Sequence, residues 1–270
     1  MGETLEENWV LSGSDDSSTE ETEVNVSVEE NRKEDSSDRK RRLEDVQVEL
    51  KPKLKKKRGM RSISKEEDAD LLSSTPGKIA ESFWNFYTKA MKESLTKRER
   101  DVGLPPTAFI ACRNEVGWKD CSIIVKAGLV NWKKRITEES LKPRSPRVLV
   151  VSGSANRALE LIRELRSLEC FIGKLFSRHI KLKIIADILN QNEGKAVPIG
   201  VGTPGRILKL LEFEHMNLDG TELLIVDMSR DLKGYNVVEQ MDSRKDFCKL
   251  FSESFVQKIR LGSMKVAVYL

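Results

Sequence analysis

Between Val148 and Tyr269, short runs of β-branched residues alternate with segments of helical period, and no other feature constrains the fold as tightly. Val148-Leu149-Val150-Val151 is a continuous apolar run of the kind a strand covered on both faces requires. Ser152-Gly153-Ser154 then turns the chain, and Ala158, Leu159, Ile162, Leu165 and Leu168 mark one face of a helix. The alternation recurs with a strand near Ile172 to Phe176, a helix from about Ile180 to Leu189, and a strand from Val197 to Val201. A helix follows from Pro204 to about Glu212, then strand Leu223-Leu224-Ile225-Val226, a helix within Asp242 to Ile259, and a last strand Val266 to Tyr269. Strands linked by helices imply right-handed crossovers, so the expected fold class is a single three-layer α/β domain with a parallel sheet of about five strands.

Upstream of this unit the order of the chain is read from helix signals and charge. Thr75-Pro76 supplies an N-cap and a first-turn proline. Ile79, Phe83, Phe86, Tyr87, Ala90 and Met91 recur at helical spacing to about Arg100, and Trp118, Ile123, Ile124, Ala127 and Val130 give a second helix to about Glu139. Residues 1–38 carry thirteen acidic and two basic side chains, net −11, whereas residues 39–65 carry twelve basic and three acidic, net +9. With few apolar residues to offset the entropy of ordering, 1–74 is read as a disordered tail, acidic and then basic. The expected organisation is therefore a tail at 1–74 and a folded domain at 75–270, helical over 75–146 and α/β over 147–270.

Several classes of function are disfavoured. Cys112, Cys121, Cys170 and Cys248 form no CxxC pair, and His179 and His215 are the two histidines, so neither a zinc site nor a disulfide framework is expected. No run of about 18 to 20 apolar residues is present for a membrane span, and the acidic N-terminus is unlike a secretory signal. Ser152-Gly153-Ser154-Ala155 is not a nucleophile elbow, and GxGxxG is missing. His179, among cations, and His215 read as surface residues.

Two features suit nucleic acid. Arg39-Lys40-Arg41-Arg42 and Lys51-Pro52-Lys53-Leu54-Lys55-Lys56-Lys57-Arg58 are basic clusters about ten residues apart, the pattern of a bipartite nuclear-import signal and of a phosphate-binding patch; a solubilising tail is the plainer alternative. The string Val201-Gly202-Thr203-Pro204-Gly205-Arg206-Ile207 stands where a buried strand passes into a helix. There Thr203 is placed to cap, the open amides of Gly205 and Arg206 favour an anion, and the Arg206 fork matches phosphate oxygens. An ordinary capped turn would read the same way.

Gly202-Thr203-Pro204-Gly205-Arg206 resembles the GTPGR motif of the first RecA-like domain of DEAD-box RNA helicases, which contacts the RNA backbone. Val148 to Leu168 resembles the strand, PTREL-type turn and helix of that domain, and Leu223 to Asp227 resembles the strand leading into DEAD. The departures bear on activity. No GxxxxGK[ST] string occurs in 75–146, and Asp227 is followed by Met228 where a carboxylate is needed to orient the attacking water. The PTREL-type turn, Ser152-Gly153-Ser154-Ala155-Asn156, is read as lacking its arginine, and SAT and a second domain are expected to be absent.

The two-sign tail, the degenerate domain, and Lys174-Leu175-Phe176-Ser177-Arg178-His179-Ile180-Lys181 together resemble the Cms family of ribosomal small-subunit biogenesis proteins. That resemblance implies a non-catalytic, nucleolar assembly factor with no cofactor. Its expected partners are the ribosomal RNA precursor or small nucleolar RNA, and small-subunit preribosomal proteins, with neither a membrane nor a small-molecule substrate. The residues expected to meet RNA are Thr203, Gly205, Arg206, Arg178 and Lys181. An ATP-dependent helicase and a protein-interaction scaffold without RNA contact remain the alternatives.

Overall fold

The computed structural model describes residues 65–72, 75–91, 95–112, 118–137, 141–176, 185, 189 and 197–270. The chain divides into two compact units, Met1–Leu54 and Lys55–Leu270, and every described residue belongs to the second. Six parallel strands form one sheet: β1 (Phe109–Ile110), β2 (Val148–Val151), β3 (Ile172–Leu175), β4 (Ile199–Gly202), β5 (Leu223–Asp227) and β6 (Lys265–Tyr269), in the order β1-β6-β5-β2-β4-β3. The helices are α1 (Lys65–Leu71), α2 (Pro76–Ala90), α3 (Lys97–Val102), α4 (Cys121–Gly128), α5 (Trp132–Thr137), α6 (Ala155–Leu165), α7 (Pro204–Glu212), α8 (Met241–Leu250) and α9 (Val256–Arg260).

The apolar runs are explained by burial on both sides. Side chains alternate across a strand, so Leu149, Val151, Leu224, Val226, Val266 and Val268 face one core, packed with α2, α7, α8 and α9. Val148, Val150, Ile199, Val201, Leu223, Ile225 and Ala267 face the other, packed with α4, α5 and α6. In β4 the positions facing the first core are Gly200 and Gly202. A Cβ on Gly202 would stand 2.5 Å from the Leu175 carbonyl oxygen and 3.0 Å from Ile207 Cγ1, so a larger residue there would push β3 and α7 away.

The helical segment ahead of β2 belongs to this domain. Phe83 and Tyr87 of α2 are buried against Phe251, with ring centroids 5.4 and 4.9 Å apart. Phe251 opens a π-helical turn, Phe251–Phe255, joining α8 to α9. That turn keeps Phe247, Phe251 and Phe255 all fully buried.

The α/β domain with one parallel sheet is as expected, with a sixth strand beside the five read from the sequence because a two-residue strand, β1, pairs with β6 inside the stretch read as helical. Three expectations are corrected. The helix expected to reach Arg100 ends at Ala90, and α3 begins afresh at Thr96, whose amide and side chain form a reciprocal capping box with Glu99. The helix expected from Trp118 to Glu139 is two helices divided near Asn131, where φ is +55°. Finally, residues 65–71 are helical with Leu71 buried, so folded structure begins before Thr75. The basic clusters Arg39, Lys40, Arg41, Arg42, Lys53, Lys55, Lys56, Lys57 and Arg58 lie outside the described residues, as do Arg178, His179 and Lys181.

Candidate functional site at the carboxyl edge of the sheet

Because all six strands are parallel, their carboxyl ends share one edge, and in such sheets the natural crevice opens where successive connections leave in opposite directions. Here that point lies between β2 and β5: β4 and β3 continue on one side, β6 and β1 on the other. The crevice is filled by the chain's own charges. Asp227, 2% exposed at the end of β5, accepts at Oδ2 from Arg157 Nε (3.2 Å) and Ser152 Oγ (3.3 Å). Its Oδ1 accepts from the Ser229 hydroxyl (2.6 Å) and the Ser229 amide (3.3 Å). Both carboxylate oxygens are therefore occupied, as a buried charge requires.

Arg157 organises the rest. It stands in the first turn of α6, which Ser154 caps by accepting from the Arg157 amide. Its guanidinium also donates to Glu160 (2.8 Å) and Ser229 Oγ (3.3 Å), and its centre lies 5.5 Å from the Tyr269 ring. Burial works against the Arg157 cation, but the hydrogen bond to Glu160 and the charge of Asp227 outweigh it and raise its pKa. Glu164, one helical turn beyond Glu160, accepts from Tyr269 Oη (3.0 Å) and from the Cys121 amide (2.9 Å), tying α4, α6 and β6 together. Burial, then the hydrogen bond to Glu164, pushes the Tyr269 hydroxyl up; burial, then the charge of Glu164, does the same to the Cys121 thiol.

Residues 152–156 hold no arginine, and Arg157 follows them in the first turn of α6. Its signal was present in the sequence: carboxylates three and seven residues beyond an arginine, on one helix face. Met228 is fully buried, and its amide donates to the Tyr269 carbonyl at 2.7 Å. The position after Asp227 therefore presents an apolar side chain to the core and no group that could orient water. Among the described residues, no cluster of three His, Cys, Asp or Glu side chains is placed to hold a metal ion.

Beyond the crevice, Arg230 forms a second clamp. It donates to both oxygens of Asp68 (2.7 and 2.8 Å), to Glu239 (2.7 Å) and to the Gly234 carbonyl (2.9 Å), fastening α1 to the loop after β5.

The turn after β4 brings together three of the five residues expected to meet RNA. Thr203 is at the N-cap of α7, and its carbonyl accepts from the Arg206 and Ile207 amides, but its side chain makes no capping hydrogen bond, contrary to expectation. Pro204 occupies the first turn as expected. Gly205 and Arg206 are half-buried. The Asp246 carboxylate of α8 occupies the space that a Gly205 side chain would take, so the start of α7 already has an anion beside it.

Fold and site together define a class: a parallel α/β domain whose switch-point crevice is closed by its own ion pairs. Sequence comparison is more specific, because residues 119–270 match the family model described as CMS1, a U3-containing 90S pre-ribosomal complex subunit. The chain belongs to that family. Protein CMSS1 of Xenopus laevis is 29% identical over 181 residues, covering 66% of this chain and 63% of the relative. Protein CMSS1 of Homo sapiens is 30% identical over 192 residues, covering 67% and 66%. The chain spans about three fifths of the length of the curated relatives it matches. Among solved structures, a DEAD box protein from Methanococcus jannaschii is distantly similar, with TM-score 0.36, 19% identity, and coverage of 46% of this chain and 31% of that one.

Proposed function

We propose that this chain is a non-catalytic, nucleolar assembly factor of the small-subunit preribosome. The observation that carries this reading is the family match over 119–270, whose description is of a subunit of a U3-containing pre-ribosomal complex. The crevice supports the non-catalytic part: Asp227 is held by Arg157, Ser152 and Ser229, and Met228 is buried. The basic clusters at 39–42 and 51–58 serve nuclear entry and phosphate contact, and Thr203, Gly205, Arg206, Arg178 and Lys181 meet the RNA backbone, fixing position without reading bases. Precursor ribosomal RNA or small nucleolar RNA and small-subunit preribosomal proteins are the partners. The chain is divided into a charged N-terminal tail and a folded part that comprises α1 and residues 75–270.

The test is purification of the tagged full chain from cells, followed by identification of the co-purifying RNA and proteins. Small-subunit precursor RNA with its early assembly proteins is the expected company; mature ribosomes or no RNA at all would contradict it. One observation favours a second reading, a protein scaffold without RNA contact: the Asp246 carboxylate beside Gly205 places negative charge where the backbone phosphate would sit. Nuclease treatment separates the two, since partners held by protein contacts stay bound.

A further inference from the structure

α4 and α5 cover the sheet face opposite α2, α7 and α8. Ile124, Val125 and Leu129 are buried in that core, which leaves Ile123, Lys126 and Val130 on the outer side, Ile123 38% and Val130 84% exposed. Trp132, half-buried at the start of α5, sits beside them, and the ammonium nitrogens of Lys126 and Lys133 lie 5.5 and 5.7 Å from its ring centroid. Two cations are thus gathered on one indole. Among the described residues neither ammonium has a carboxylate partner. Asp120 caps α4 by accepting from the Ser122 amide, and Glu222 is paired with Arg135. Lys119 is exposed at the head of the same helix.

A face with like charges held together, no carboxylate on them among the described residues, and apolar side chains between them suits a polyanion that also offers flat apolar surface. We propose that the outer face of α4 and α5 binds single-stranded RNA, with phosphates at Lys126 and Lys133 and a base seated against Trp132. The contact is separate from the turn after β4 and lies on the other side of the sheet; it rests on the reading of this chain as RNA-associated. RNA is favoured over an acidic peptide because a nucleobase uses both the indole and the exposed Ile123 and Val130, whereas a carboxylate uses the cations alone. Asp246 beside Gly205 adds to the case, since it weakens the turn after β4 as an anchor.

The experiment is fluorescence anisotropy of labelled oligouridine with the full chain at several salt concentrations. The background variant carries alanine at Lys53, Lys55, Lys56, Lys57 and Arg58, so that the tail does not dominate. Lys126→Gln with Lys133→Gln is expected to weaken binding and lower the slope of log K against log salt by about 1.4, near 0.7 per phosphate lost from a single strand. The unfolding midpoint should not move, since both side chains are exposed. Unchanged affinity and slope in this double variant, alongside a loss in Arg206→Ala, would overturn the α4–α5 site while leaving RNA association standing. No binding by the unsubstituted chain would overturn both. A poly-glutamate peptide that binds through Lys126 and Lys133, with RNA binding unaffected by their loss, would assign the face to a protein instead. Photo-crosslinking of 4-thiouridine RNA to the unsubstituted chain reads the same question without substitution. Adducts within 118–137 are expected, and adducts confined to other segments would refute the site.

Discussion

Two halves of one sheet edge have been put to different uses. At the β2–β5 crevice the chain's own residues satisfy every strong charge: Asp227 has four hydrogen bonds and Arg157 reaches carboxylates on both sides. At the turn after β4, a few residues away, the backbone is shaped for close approach by Gly202 and Gly205, and Arg206 is half-buried. The comparison teaches that a sheet edge can keep the architecture of a binding site while its acid acts as a structural group. An acid bound this tightly to an arginine is a cross-brace between β5 and α6.

The largest expected effect is on the closed half. Arg157→Ala leaves Asp227 buried without its cation, and breaking a buried pair from one side costs about 3 kcal/mol. Urea unfolding should show that loss, with Asp227→Asn losing less because its hydrogen bonds with Ser152 and Ser229 can persist. If Arg157→Ala were as stable as the parent chain, the brace would be no brace.

Next come the two glycines. Gly202→Ala forces a Cβ against the Leu175 backbone, which cannot yield without moving β3, and about 2 kcal/mol of destabilisation is expected. Gly205→Ala meets only the end of the Asp246 side chain, which can swing away, so about 0.5 kcal/mol, the value of a carboxylate at a helix start, is the expected loss. Thermal melts of the pair should therefore differ clearly, and equal melts would mean that the turn after β4 is as rigid as the strand before it.

Alkaline pH offers a finer test of the closed half. Burial raises Tyr269, and Tyr87 is pushed up to about 12, while an unfolded tyrosine titrates near 10. A raised folded value means that the stabilisation is complete below about 10 and is lost as pH climbs from there through the folded values. Stability followed against pH by denaturant titration should fall across that window, and Tyr269→Phe should flatten the fall. The smallest stability change is expected at the open half: Arg206→Ala should leave the unfolding midpoint within about 0.5 kcal/mol. Its effect should appear in RNA affinity, similar across sequences, with the salt slope reduced by about 0.7 per lost phosphate contact.

The strands buried on both faces are legible in the sequence because Val148 to Val151 and Leu223 to Val226 are continuous apolar runs that neither a solvated helix nor a loop would tolerate. β1 is not legible, since two residues carry no period and only pairing with β6 makes Phe109–Ile110 a strand. The breaks at Ala90 and near Asn131 are likewise local backbone events that apolar spacing runs straight across. At the candidate site, the β4–α7 turn can be read from its own string because glycine, proline and arginine act on their neighbours. The helical spacing of Arg157 to Glu160 and Glu164 is local, but its partners Asp227 and Ser229 lie 70 and 72 residues away, where no local pattern reaches. Asp246 beside Gly205 is hidden for the same reason, as it arrives from another helix.

The most direct measurement is magnesium-dependent ATP turnover by the full chain with and without RNA, run beside Asp227→Asn. With the crevice braced by Arg157 and Met228 buried beside it, the two proteins should release phosphate at the same background rate, and RNA should change neither. Saturable turnover in the parent chain that RNA stimulates and Asp227→Asn abolishes would contradict the closed crevice and return Asp227 to catalysis.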